Sequence, residues 1–360
     1  MTIKLAEQLD QLITSKSREQ KFAGAVLIKQ NEDELLKAAY GYANRSWSVP
    51  NHIQTRFRIA SISKLFTAVA VLQLTEEGKL GLDTSIVECL GLKDTMIPRD
   101  ATIQHMLTMT SGIADWFEES GDWEENWEAL CREHPIYLFR RNEDYLPLFL
   151  DKTPLFPVGE RHQYNGAGYI LLGLVIEKLS GLSYFDYVRQ HIFDRAQMTR
   201  SDFLAIDAVH DEIAEGYIPV TDKKENVIGW KKNIYSTTPE AAADGGATST
   251  IEDLSRFSRA LRDGRLLSAH WTREMLTPQV LERTERSRGY TWKYGYGNSF
   301  TLDDSDQIVR WGHTGEEDGV SCRLYYYPKL NLDVIILGNQ SCCAGSLAWE
   351  IHDLIVKSVA

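Results

Sequence analysis

Three short stretches of this chain carry residue types that can do chemistry together. Ser61-Ile-Ser-Lys64 is the only S-x-x-K in the sequence. Residues three apart on a helix share a face, so the Lys64 amine can reach the Ser61 hydroxyl. A serine needs a base to become a nucleophile, and a partly desolvated lysine supplies one. A helix N-terminus here would also favour developing negative charge. Taken alone the tetrapeptide is a weak signal, since average Ser and Lys usage yields roughly one per chain of this length. The bland alternative is a surface turn of helix with an exposed lysine. The second stretch is Gln163-Tyr-Asn-Gly-Ala-Gly-Tyr169, just ahead of the most apolar helix pattern. Tyr164 there is either structural or a general base facing a cleft, its pKa lowered by a nearby lysine. The third is Arg310-Trp-Gly-His-Thr-Gly315, at the end of a strand pattern. A glycine in such a place leaves the backbone open to close approach by a ligand.

Other chemistries lack their signatures. The chain has no GxSxG elbow, no HExxH, no P-loop and no GxGxxG after a strand. Its nine histidines are scattered, and none pairs with another at ligand spacing. No metal site and no cofactor are therefore expected.

Elements must bring these stretches together. Leu5, Leu9, Leu12 and Ile13 predict a helix from 3 to about 18. Strands over 22–29 and 35–44, with a turn at 32–34, read as a hairpin. Ile62, Leu65, Phe66, Val69 and Leu72 line one face of a helix that stops at Gly78. From about 80 to 285 the chain reads as helix and loop, with helices at 168–179 and 251–263. After Tyr290 strand patterns return at 294–302, 307–311, 320–327 and 332–337, and a last helix covers 344–359. The expected fold is α+β: an antiparallel sheet drawn from both chain ends, flanked by the terminal helices, with an inserted, mainly helical domain. The boundaries follow as 1–80 plus 285–360 for the sheet domain and 81–284 for the helical one.

Composition narrows the partners. The 360 residues carry 39 basic and 51 acidic side chains, a net charge of −12, which argues against nucleic acid and against an anionic membrane surface. No run approaches the roughly 20 apolar residues of a membrane span. The first ten residues have no apolar h-region, and five cysteines without CxxC spacing read as reduced, mostly buried thiols. Both point to a cytoplasmic protein, of oligomeric state not readable from the sequence. The segment Trp116–Trp127, rich in tryptophan and carboxylates, is either a surface helix docked by aromatic anchors or the wall of a pocket for an aromatic or cationic substrate.

In order and context these stretches resemble one superfamily, the serine β-lactamase-like and penicillin-binding-protein-like hydrolases. The branch most similar holds class C β-lactamases, D-alanyl-D-alanine carboxypeptidases and esterases. Phe57–Thr67 resembles the family's nucleophile motif, and His105–Gly112 its LLTHTSG segment. Phe156-Pro-Val-Gly159 with Tyr164 resembles FxPG…Y-x-N-x-GY, Gly245–Leu254 resembles GGLxSTxxDL, and His313-Thr-Gly315 its K-T-G or H-x-G motif. The likeness spans about 5–355 as one unit and implies the β-lactamase/transpeptidase-like fold. It also implies an acyl-enzyme on Ser61, with Lys64 and Tyr164 moving its proton and His313 orienting substrate. The backbone N–H groups of Ser61 and Glu316 would form the oxyanion hole, and Asn165, Thr314, Gly315 and Trp116 would contact a small-molecule or peptide substrate.

Two departures from the pattern bear on function. Gly166 stands where the family has Asn or Ser, and Glu316, Glu317 and Asp318 follow the third motif, where small residues are common. Three carboxylates would repel an anionic substrate. The expectation is a hydrolase of a neutral or cationic ester or amide. Its rival is a catalytically weakened member that binds a small molecule or peptide without turnover.

Overall fold

The structure, a computed structural model, describes residues 2–118 and 123–359. One eight-stranded antiparallel sheet is built from both chain ends. Its strands in chain order are β1 (Gly24–Gln30), β2 (Asp33–Tyr40), β3 (Val280–Leu281), β4 (Thr291–Tyr294), β5 (Ser299–Leu302), β6 (Ile308–Glu317), β7 (Val320–Tyr327) and β8 (Leu332–Gly338). Across the sheet they run β2-β1-β8-β7-β6-β5-β4-β3. The first strand of the chain thus pairs with the last, Val26 opposite Ile336. This is the expected α+β fold.

Strand alternation divides the core in two. Val26, Ile28, Val334 and Ile336 face the terminal helices α1 (Thr2–Arg18) and α4 (Gly345–Val359), where Leu9, Ile13, Leu347 and Ile351 meet them. Ala25, Leu27, Ile335 and Leu337 point the other way, into a larger core shared with the middle of the chain. Both faces of β8 are covered, which is why the stretch 334–337 is a continuous apolar run rather than an alternating one.

At the centre lie α2 (Lys64–Glu76) and α3 (Ala167–Ser180), packed on each other. The expectation of one apolar face on α2 is corrected: every residue from Lys64 to Leu74 is buried. Phe66 is clamped edge-on between Phe193 and Phe257, at 5.1 and 4.8 Å between ring centres. A helix apolar all round belongs in a core, and Lys64 is carried inside with it.

Three further expectations need correction. The strand read over 294–302 is two strands, β4 and β5, separated by a turn at 295–298 with Gly297 at φ +75. The stretch read as helix and loop holds a hairpin, Tyr217–Thr221 with Val227–Lys232. Its faces are mostly half-exposed, so no alternation marks it in the sequence. Of the five cysteines only Cys322 and Cys343 are buried, and Cys342 is exposed. No single helix among the described residues is long and apolar enough to cross a membrane.

Candidate active site

Ser61 lies on a 3-10 turn, Ala60–Ser63, that leads directly into α2. The turn hangs on the 245–247 segment by three hydrogen bonds. Ile59 N–H donates to the Ala247 carbonyl (2.8 Å), Gly246 N–H to the Ala60 carbonyl (3.2 Å), and Ala247 N–H to Ser63 Oγ (3.0 Å). Ala60 sits at φ +45, a left-handed conformation a non-glycine residue adopts at a cost, here immediately before the nucleophile candidate. Lys64 Nζ donates to Ser61 Oγ at 3.0 Å and to the Asp244 carbonyl at 2.5 Å. Only 2% of Lys64 is exposed.

The other stretches arrive from distant parts of the chain. Tyr164 stands half-buried just before α3, its ring centre 4.9 Å from Lys64 Nζ and 6.2 Å from the His313 ring. The start of α3 is capped from fifty residues away. Asp115 accepts from Gly166 N–H (2.7 Å) and Ala167 N–H (2.9 Å), satisfying donors that the helix itself leaves unpaired.

His313 is on β6, which runs through the third motif to Glu317 rather than ending before it. On its β5 side, β6 is paired only as far as Gly312, and the Ala60–Ser63 turn packs beside the rest. His313 Nδ1 lies 2.6 Å from the Thr314 carbonyl, which accepts, and Nε2 accepts from the Tyr294 hydroxyl at 3.1 Å. Burial, then the neighbouring Lys64 charge, pushes the ring down to about 3, so it is neutral at physiological pH.

Two cavities meet at Ser61. One, of about 420 Å³, is walled by Trp116, Phe117, Trp123, Trp127 and Tyr145, with Asp244, Glu317 and Asp318 at its polar end. The part of the Trp116–Trp127 segment at 119–122 lies outside the described residues. The second, of about 590 Å³, is lined by Tyr164, His313, Thr314, Tyr294 and Arg288. Glu316 borders both.

Two expected contact residues are placed elsewhere. Both ends of the Asn165 amide are occupied by the scaffold: Nδ2 donates to the Ile113 carbonyl (3.0 Å) and Oδ1 accepts from Gly168 N–H (2.8 Å). Gly315 walls neither cavity. It lets β6 pass under the nucleophile turn, where a Cβ would sit 2.2 Å from the Ile59 carbonyl oxygen. Trp116 and Thr314 do line the cavities.

The acidic run is also less negative than its sequence. Glu316 pairs with Arg323 (2.5 Å) and accepts from Ser321. Glu317 pairs with buried Arg58 (2.5 Å) and accepts from Thr237. Three carboxylates against two guanidiniums leave about one net charge rather than three. Arg58, Thr237, Tyr294 and Asp244 were not singled out from the sequence. Only Asp244, just ahead of Gly245-Gly246, had a signal that could have found it.

The Beta-lactamase family model matches residues 9–342. Penicillin-binding protein 4 of Amycolatopsis lactamdurans is 26% identical over 333 residues, covering 88% of this chain and 80% of that one. The crystal structure of a penicillin binding protein from Bacillus halodurans superposes with a TM-score of 0.83 at 37% identity, covering 95% of this chain and 98% of that one. A D-stereospecific amidohydrolase from Streptomyces sp. shares the fold, with a TM-score of 0.74 at 23% identity over 92% of this chain and 94% of its own.

Proposed function

The chain belongs to the Beta-lactamase family, and on that premise we propose that it is a serine hydrolase that forms an acyl-enzyme on Ser61 and cleaves an ester or amide of a small molecule or peptide. The observation that carries the reading is the 3.0 Å hydrogen bond from Lys64 Nζ to Ser61 Oγ at the meeting point of two cavities. A buried amine held against a hydroxyl is an activated nucleophile in waiting.

Ser61 Oγ attacks the carbonyl carbon, and its proton passes to the Lys64–Tyr164 pair. The pair returns that proton to the departing alkoxide or amine, leaving the acyl group on Ser61. Water then attacks the acyl carbon, gives one proton to the pair, and the regenerated Ser61 takes it back. The tetrahedral oxyanion rests on the backbone N–H groups of Ser61 and Glu316, each worth about 2.7–4 kcal/mol. Neutral His313 orients the Tyr164 side through its ring and the Tyr294 bond, and attracts no carboxylate. The amidohydrolase activity named for the Streptomyces relative fits an amide as readily as an ester. The remaining net negative charge beside Ser61 fits a neutral or cationic substrate in a cytoplasmic setting.

Intact-mass analysis after incubation with a fluorophosphonate tests the reading. A single covalent adduct that is absent from Ser61→Ala is expected. No adduct on the wild type would overturn turnover through Ser61 and favour a protein that binds without hydrolysing.

A further inference from the structure

The departure at Gly166 has a structural counterpart. An added Cβ at Gly166 would lie 2.7 Å from Asp244 Oδ2 and 2.8 Å from Trp116 Nε1. The space that a side chain would take is therefore filled by those two residues, joined by the Trp116 indole N–H donating to Asp244 Oδ2 at 2.9 Å. Where the family pattern has a neutral amide or hydroxyl, this chain presents a carboxylate.

That carboxylate differs from its acidic neighbours. Glu316 and Glu317 each hold an arginine, whereas among the described residues no cation pairs with the Asp244 side chain. Asp244 is about nine-tenths buried, and it borders the aromatic-walled cavity next to Ser61. Lys64 bonds to the Asp244 main-chain carbonyl rather than to its carboxylate, which, with the one neutral donor from Trp116, can take an ammonium as a further partner. The walls suit the same guest, because the faces of tryptophan and tyrosine attract an ammonium. Trp123 and Trp127 stack at 5.6 Å between ring centres, and Trp116 meets Tyr145 edge-on at 5.0 Å.

The proton path says which half of the substrate lies here. Lys64 lines the aromatic-walled cavity and Tyr164 the other, and with Tyr164 as the member of the pair that hands the proton over, the leaving group lies on the Tyr164 side. The acyl half then takes the other cavity, with Trp116 and Asp244.

We infer that Asp244, exposed to the cleft by the missing side chain at position 166 and backed by Trp116, is a specificity-determining residue that binds a primary ammonium on the acyl half of the substrate. This rests on the hydrolase reading above. The substrate class is an amide or ester of an amino acid, or a short peptide cleaved after a residue bearing a free amine, with an apolar or aromatic side chain against the tryptophans.

The test compares ligands that differ only by the amine. For turnover these are racemic phenylalanine p-nitroanilide and 3-phenylpropionyl p-nitroanilide. For binding they are phenylalaninamide and 3-phenylpropionamide, titrated calorimetrically into Ser61→Ala protein. The amine should be preferred by about tenfold or more in kcat/KM and in affinity, as for a desolvated ion pair. Asp244→Asn keeps an acceptor for Trp116 and should reduce both ratios to about threefold or less. Gly166→Ala, which drives a methyl into the pair, should lower them too, and it carries the test if Asp244→Asn does not fold. Equal handling of the two ligands by the parent protein, or ratios unchanged in both variants, would overturn the inference. The calorimetric arm needs no turnover. An amine preference without a Ser61 adduct would sink the hydrolase reading while supporting the subsite; an adduct without the preference would do the reverse.

Discussion

Removing the charge of Glu317 should destabilise the protein by about 3 kcal/mol, because its carboxylate is half of a buried ion pair. Arg58 and Glu317 meet at 2.5 Å with only 7% and 17% of their side chains exposed. Thr237 donates to the same carboxylate at 3.1 Å. At an effective dielectric of about 20 and a charge separation near 4 Å, the attraction is about 4 kcal/mol. Breaking a buried pair typically costs 3–5 kcal/mol, because the surviving charge stays buried. Glu317→Gln retains an oxygen for Thr237, which places its cost at about 3 kcal/mol. For a 360-residue chain, about 2.1 cal/mol/K of unfolding entropy per residue gives roughly 0.76 kcal/mol/K, so Tm should fall by about 4 °C. Arg58→Met should cost a similar amount. The double variant Arg58→Met with Glu317→Gln should cost about 2–3 kcal/mol less than the sum, since no unpaired charge remains. Scanning calorimetry of the four proteins measures the cycle. A drop under about 1 °C for Glu317→Gln, or strictly additive singles, would refute the reasoning and return the carboxylate to the cleft as a free charge.

Two other outcomes follow from the geometry. Gly315→Ala places a methyl 2.2 Å from the Ile59 carbonyl oxygen, backbone that cannot swing aside. It should cost at least about 2 kcal/mol and displace the nucleophile turn, read as a lowered Tm together with slower fluorophosphonate labelling of Ser61. Burial holds His313 at about 3 and His162 at about 4, both below the ordinary 6.5. The unfolded chain therefore takes up protons from about pH 6.5 downward that the folded chain refuses, and stability present above pH 6.5 is lost as the pH falls. The loss should reach about 2 kcal/mol per histidine by pH 5. Tm measured from pH 7 to 5 should fall, less steeply in His313→Gln; a flat profile in the parent protein would contradict the burial.

The sequence alone determined the parts whose cause is local. The paired termini were legible because β1 and the strands after Tyr290 carry apolar residues at strand spacing, and the terminal helices carry theirs at helical spacing. Ser61 and Lys64 were legible as partners because three residues of helical chain set their separation whatever the surroundings. What depends on packing between distant segments was not. Asn165 looked like a substrate contact because it precedes Gly166, yet its amide is occupied by Ile113 and Gly168. Only the fold decides which polar groups lie within bonding distance. The acidic run read as three repelling charges because Arg58 and Arg323 are charged residues like any others in sequence; only tertiary contact turns them into counter-ions. Gly166 read as a loss for the same reason. A missing side chain has no meaning until the fold shows that Asp244, seventy-eight positions later, stands in the space it leaves.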